Sequence, residues 1–282
     1  MPAIPSVQNA TPENNQMRNI ILYRGSEFEK EELSEANQLF ECTDRRPDIQ
    51  EGDLVIGRYS LWPFYADQAK DIEYVGAKLI NNYQQHRYIS DLQNYVMDLR
   101  ELTPRTWRDI TDLPDKGSFI LKGETNSRKS NWKRDMFAPD KKSAIEIYAR
   151  LMDDSLIGQQ NIYIRRYEPM VTYMEGVNGI PITKEFRFFV AYGQILSGGY
   201  YWQNYVDELP EVPSPDEVPR EFLNDVIERV GNQSNFYTID VGQSISGKWF
   251  VVELNEGQQA GLSCNDPFTM YKNLDKAIRN QK

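Results

Sequence analysis

Apolar runs of strand length recur along this chain, and what separates them changes near residue 102. Before that point the runs alternate with amphipathic stretches. Asn19–Arg24 (NIILYR) has the length and composition of a buried strand, and the charged stretch behind it places Leu33, Ala36 and Leu39/Phe40 at helical spacing. Gly52–Ser60 (GDLVIGRYS) predicts a second strand. The segment from Tyr65 to Arg87 is ambiguous, with a third strand expected within IEYVGAKLINN. Ser90–Leu99 predicts a helix capped by Ser90, with Leu92, Val96 and Leu99 on one face. Strands alternating with helices over Asn19–Leu99 imply a small α/β unit.

After Leu102 the strands come closer together. SFILKG and NIYIRRY flank a helix over KKSAIEIYARLMDD, and ITKEFRFFVAYGQILSGGYYWQ reads as a hairpin turning at Tyr192-Gly193-Gln194. Phe222, Leu223, Val226, Ile227 and Val230 mark one face of a further helix. FYTIDVGQ and GKWFVVELNEG then give two strands with Ser246-Gly247 between them. The expected organisation is a polar, flexible tail over 1–18, an α/β domain over 19–101 and an α+β domain rich in antiparallel strands over 102–282.

Residue usage narrows the chemistry. The chain has 282 residues, 40% of them hydrophobic, which is enough for a real core. Lys and Arg number 32 against 42 Asp and Glu, a net charge of −10 that disfavours coating nucleic acid or an anionic membrane through the overall field. No apolar run reaches the length of a membrane span, and the polar beginning does not resemble a signal peptide. Two distant cysteines, Cys42 and Cys264, make no disulfide framework, so a reducing, cytoplasmic setting is expected. The single histidine, His86, excludes every mechanism that needs two or three imidazoles, and it is expected at the surface or partly buried. Carboxylates, lysines, arginines and backbone must do the work.

Charge is not spread evenly. Lys116–Arg150 holds nine cations and four acids, net +5 in an acidic protein. Here a strand ending at Lys122 runs into a polar loop carrying Arg128 and Lys129, a combination that suits phosphate as well as a solvated basic loop. It is not a Walker A loop. Further on, Asp240 lies on one strand and Glu253-Leu254-Asn255 end the next. Positions i and i+2 of a strand share a face, so Glu253 and Asn255 present oxygen ligands to one side and Asp240 can add a third. Such a set suits Mg²⁺ or Mn²⁺, and it also matches ordinary strand-exit chemistry. The aromatics Tyr200, Tyr201, Trp202 and Tyr205 fit a binding platform or, more commonly, core packing.

The order of these parts resembles the ATP-grasp superfamily over roughly Leu102–Asn265, and EFRFFV…DV…VVELNEGQQAGLS is similar to the subfamily named for one arginine and two lysines. The resemblance implies two α+β lobes clasping ATP behind a small pre-ATP-grasp domain. It also implies an ATP-dependent ligase that joins a carboxylate to an amine through an acyl-phosphate, with a peptide or protein end among the substrates. By resemblance, Lys122 contacts the α/β-phosphates and Lys129 the β/γ-phosphates. Arg166, Tyr167 and Glu168 form the hinge that reads adenine, and Glu185 meets the ribose. Arg187 steadies the transferring phosphate, and Asp240, Glu253 and Asn255 hold the metal. Glu124–Lys133 is the expected lid. The loop lacks the glycines of many relatives, with only Gly123 offering easy positive φ. Two alternatives stand beside this reading: an ATP-dependent RNA or DNA ligase guided by the basic segment, and a catalytically silent nucleotide-binding protein.

Overall fold

The N-terminal alternation builds a parallel sheet. In the computed structural model, residues 17–25, 27–61, 63–202 and 212–281 are described. Strands β1 (Asn19–Leu22), β2 (Glu41–Thr43), β3 (Leu54–Gly57) and β4 (Lys78–Leu79) lie in the order β2-β1-β3-β4, every neighbouring pair parallel. Helices α1 (Glu27–Ala36) and α2 (Tyr65–Tyr74) provide the crossovers that parallel neighbours require. The ambiguous segment thus resolves into α2, the two-residue β4 and α3 (Tyr83–Ser90). The α3 start is a capping box, Asn82 and Gln85 each accepting the other's backbone N–H. Ser90 is not the expected cap but the last residue of α3. Asp91 has extended backbone and accepts from the Gln93 N–H, so it caps the short α4 (Leu92–Tyr95).

Among the described residues, the chain after Leu102 forms two four-stranded antiparallel sheets and one two-stranded hairpin. Strands β5 (Thr106–Trp107), β6 (Phe119–Gly123), β7 (Phe137–Ala138) and β8 (Ile162–Arg166) are ordered β5-β8-β6-β7. Helix α5 (Lys141–Met152), capped by Asp140, lays Ala144, Ile147 and Leu151 on Phe119, Leu121 and Ile164. A hairpin that no sequence pattern announced follows, β9 (Thr172–Glu175) with β10 (Pro181–Thr183). The last sheet is ordered β12-β11-β13-β14, from β11 (Glu185–Ala191), β12 (Gln194–Tyr200), β13 (Phe236–Gln243) and β14 (Trp249–Glu256). Tyr192 and Gly193 both take positive φ, 48° and 73°, as a two-residue hairpin turn with the twist of its strands requires. Helices α6 (Arg220–Val230) and α7 (Pro267–Arg279) complete the order; α7 is a helix that the sequence patterns did not single out.

Every residue of β11 is buried, which explains its unusual richness in aromatics. Phe186, Phe188 and Val190 face one core with Leu92, Tyr95 and Leu99 and with Leu223 and Val226 of α6. Phe189 and Ala191 face another with Ile21 and Leu33 and with Met270, Tyr271 and Leu274 of α7. Both cores therefore join residues from before and after position 102. A buried polar cluster ties the same halves: Asn81 donates to the Phe236 carbonyl (2.7 Å) and to Glu256 (2.6 Å), and Glu32, paired with Arg58 (2.7 Å), accepts from the Tyr271 hydroxyl (2.6 Å). Tyr205, Asp207, Glu208, Glu211 and the tail over 1–16 lie outside the described residues. Among the described residues, no helix is long and apolar enough to cross a membrane.

Candidate functional site

Strand register sets one row of side chains across the last sheet. Arg187 on β11 sits opposite Asp240 on β13, and Asp240 sits opposite Glu253 on β14. Arg187 donates from Nε to Asp240 Oδ1 (2.8 Å) and from Nη2 to Oδ2 (2.7 Å), a bidentate pair, and from Nη1 to the Gly261 carbonyl (2.9 Å). Asn255 Nδ2 donates to the same Asp240 Oδ2 (3.0 Å). From the other sheet, Lys122 at the end of β6 donates to Glu253 Oε2. Lys129 in the loop beyond it donates to the Tyr201 hydroxyl (2.5 Å), its ammonium 4.4 Å from the Tyr201 ring centre and 5.5 Å from that of Trp202. Arg187 lies over the Tyr201 ring as well, at 4.9 Å.

Two cavities meet at this row. A slot of about 90 Å³ is lined by Lys122, Lys129, Arg166, Tyr167, Glu168 and Glu185, the full set expected to bind nucleotide. A larger cavity of about 620 Å³ is lined by Arg187, Glu253 and Asn255, and by the loop residues Thr125 to Ser130. Ser127, Lys129 and Glu253 belong to both walls. Asp240 lines neither: it is fully buried behind Arg187 and Asn255.

Burial and opposed charge shift the ionisable groups strongly. Burial raises the Glu185 carboxyl to about 7, against the opposing pull of Lys129. Burial also works to raise Glu253, but Lys122, Lys129 and Arg187 carry it well below the usual carboxylate range. Tyr201 is pushed up to about 12 by burial, with Lys129 opposing. Burial disfavours charge on Lys129, yet Tyr201, Glu253 and Glu185 outweigh that and keep it firmly protonated.

The donor set suits a hard divalent ion: two carboxylates and an amide oxygen, with no sulfur or imidazole. Among the described residues, no three His, Cys, Asp or Glu side chains form a cage on their own. Oxygens from a phosphate would have to complete such a site, as is usual for Mg²⁺.

Other expectations are met differently. The N–H groups of Arg166 and Tyr167 are already donated, to the Arg105 carbonyl (2.8 Å) and the Ser118 carbonyl (2.9 Å). Gly123 is not used for positive φ; an added Cβ would meet Gln160 Oε1 at 2.8 Å, so close approach explains the residue better. His86 is buried rather than at the surface or partly buried, stacked on Tyr65 with ring centres 3.7 Å apart, and it lines the larger cavity. Cys264 is partly buried with its thiol raised by burial, the opposite of an activated nucleophile. Arg165, which no motif marked, is a buried arginine in the slot wall. It donates to the Val252 carbonyl and to Thr103 Oγ1 (2.6 Å), and so ties β8 to β14. The doubled arginine of IYIRRY was its only sequence signal.

Comparison with known proteins agrees with this geometry. A family model for the ATP-grasp domain, that of family 3 in the clade named for one arginine and two lysines, matches residues 110–274, more than half of the chain. No curated protein matches the sequence. Among solved structures, D-cycloserine synthetase DcsG superposes with a TM-score of 0.63 at 12% identity, over 93% of this chain and 99% of that one. The ATP-grasp ligase PsnB with minimal precursor, Mg and ADP gives 0.58 at 12%, over 93% and 98%. D-alanine–D-alanine ligase from Bacillus anthracis, complexed with ATP, gives 0.54 at 14%, over 95% and 99%. The chain belongs to family 3 of this arginine-and-two-lysine clade of ATP-grasp proteins, and it has the fold of the ATP-grasp carboxylate–amine ligases.

Proposed function

We propose that this protein is a cytoplasmic, Mg²⁺- and ATP-dependent ligase that activates a carboxylate as an acyl-phosphate for attack by an amine, with a peptide or protein end as substrate. One observation carries the reading: the cations Lys122, Lys129 and Arg187 and the oxygen donors Glu253 and Asn255 converge where the two cavities join. The α/β unit over 19–101 is proposed as the pre-ATP-grasp domain and 102–282 as the ATP-grasp domain.

In this reading the slot takes the nucleotide base and ribose. Because the Arg166 and Tyr167 N–H groups are engaged, Glu168 is the hinge position left to meet the base edge, and Glu185 faces the ribose. Lys122 and Lys129 line the phosphates. Glu253 and Asn255 would hold Mg²⁺, and Asp240 joins them only by releasing Arg187 or Asn255. The metal supplies positive charge to the phosphate oxygens. A carboxylate oxygen of the substrate attacks the terminal phosphorus and ADP leaves. The amine then attacks the carbonyl carbon, loses a proton, and inorganic phosphate leaves. Arg187, held in one orientation by Asp240, faces charge that builds up in both steps. An acyl-phosphate is open to hydrolysis, and the loop from Thr125 to Ser130 is placed to exclude water. That loop is held to the β9–β10 hairpin, Asn178 donating to the Ser130 carbonyl (2.6 Å) and Lys133 pairing with Glu175 (2.8 Å).

The peptide substrate class is supported by the likeness to PsnB, whose structures include its precursor peptide. Nucleic-acid ligation is less well supported. Within the basic segment Arg128 pairs with Asp154, Lys133 with Glu175, Lys141 with Asp115 and Arg150 with Asp135, so much of the local charge is spent internally. The deciding assay is the product. ADP and phosphate release that depends on both a carboxylate and an amine supports the proposal; AMP release that depends on an RNA or DNA end sinks it.

A further inference from the structure

The larger cavity has an end that the nucleotide chemistry does not use. There α3 presents His86 and Ser90, four residues apart and so on one helix face, and Gln259 comes from the turn after β14. His86 Nδ1, Ser90 Oγ and Gln259 Nε2 are all buried without a hydrogen-bond partner. Buried polar atoms are almost always paired, so three orphans on residues that line one cavity point to a missing ligand, one that a small side-chain turn would let them reach. The His86 ring is fixed in place. Tyr65 stacks on it at 4° between planes, and the Tyr65 hydroxyl is itself held, donating to the Asn81 carbonyl (2.7 Å) and accepting from Gln258 (2.7 Å).

Of the charged groups that line this cavity, Glu253 faces Lys122 and Arg187 faces Asp240, while Glu256 accepts from the neutral amides of Asn81 and Gln258 and Lys129 donates to the Tyr201 hydroxyl. Behind His86, Arg87 is paired with Glu124 (2.7 Å) and Asp91 (3.1 Å). Burial, helped by Arg87, pushes His86 down to about 3, so the imidazole is neutral. A neutral group that both accepts and donates suits the three orphans: its carbonyl takes the Gln259 N–H, and its N–H meets Ser90 Oγ or the imidazole.

We infer that His86, Ser90 and Gln259 form a specificity subsite that reads an uncharged amide of the substrate, of the peptide-backbone type, while the reacting carboxylate lies toward Arg187. The inference rests on the ligase reading of the cavity, since it is the substrate of that reaction that would lie there.

His86 is the chain's only histidine, so its ring carbon–proton signal is a single reporter. The full-length protein, labelled with ¹³C at histidine Cε1, is titrated with N-acetylglycylglycinamide, and separately with acetate and with ammonium. The subsite requires a saturable shift with the diamide and none with either ion, and at least a five-fold weaker apparent affinity in Ser90→Ala and in Gln259→Leu. A signal that the diamide leaves unmoved, or that acetate or ammonium moves as strongly, overturns the subsite. Thermal stabilisation by Mg²⁺-ATP, measured on the same samples, reports separately on the nucleotide half. Its presence beside an unmoved His86 signal discards the subsite and keeps the ligase reading; its absence discards the ligase reading itself.

Discussion

Lys122 and Glu253, 131 positions apart in the chain, close an ion pair between the two antiparallel sheets, each side chain mostly buried at 10% and 14% exposed. The pair sits where the slot and the larger cavity meet, with Lys129 and Arg187 close enough to lower the Glu253 carboxyl further. In the proposed reaction Glu253 turns from this lysine toward a metal ion.

Glu253→Gln removes the charge and keeps the shape. Metal-dependent ADP release is expected to fall at least ~100-fold, the scale of losing one electrostatic contact to developing charge. Lys122 is left beside a neutral amide that still accepts its hydrogen bond, so the stability cost is about 1–3 kcal/mol, less than for an unpaired buried charge. Turnover and urea unfolding measured on the same preparation separate the two effects. Turnover that survived this change would remove Glu253 from the site.

Saturating Mg²⁺-ATP stabilises the native state by mass action, about 2.7 kcal/mol at a hundred times Kd. For a chain of this size that is a rise in melting temperature of about 4–5 °C. EDTA added with ATP should take away most of the rise, since Glu253 and Asn255 would then face phosphate without a metal between them. An equal shift with and without EDTA argues that nucleotide binds without these ligands.

Glu185 gives the pH dependence a sign. Its carboxyl holds a proton up to about pH 7 in the folded protein, against an ordinary value of 4.5. Between those values the folded state binds more protons than the unfolded state, so this group makes stability fall as pH rises and adds no slope above 7. The full effect is about 3 kcal/mol. In nucleotide-free protein, the stability of wild type minus that of Glu185→Gln should therefore decline from pH 4.5 to 7 and then level. Glu256, raised to about 7 by burial, leaves the variant a slope of the same sign. A flat or rising difference curve contradicts this account of Glu185.

Gly199 sits opposite Arg187 in the β11–β12 pair, with the chain at Cys264 and Asn265 directly against it. A Cβ there would lie 2.4 Å from the Cys264 carbonyl carbon and 2.5 Å from the Asn265 nitrogen, both backbone atoms. Asn265 also donates to the Arg187 carbonyl (3.1 Å), so the displacement would be felt at the site. Gly199→Ala is expected to cost about 1–3 kcal/mol, read as a lower urea midpoint at unchanged slope. An unchanged midpoint would mean that this segment yields freely.

Much of the architecture could be read before any coordinates, because it follows from local rules. The alternation in EFRFFV, the helix face from Phe222 to Val230 and the Tyr192-Gly193 turn each depend on neighbours within a few residues. The two- and three-residue strands β2, β4, β5 and β7 are too short to show a period, and they exist because a longer partner offers them hydrogen bonds. Hairpin β9–β10 and the cap at Asp91 were missed for related reasons.

The site divides the same way. Residue type and order marked Lys122, Lys129, Glu253 and Asn255 as candidates, since polar and charged side chains placed next to apolar strands are conspicuous in a sequence, and the resemblance to ATP-grasp proteins added Arg187. What each one touches was not encoded at short range. Tyr201 reaches Lys129 across 72 positions, Asp240 turns to Arg187 instead of the open cavity, and His86 lies buried against Tyr65. Those outcomes depend on sheet register and on which faces pack together. Only the folded chain sets these, because burial and the pairing of charges are properties of the whole packed interior.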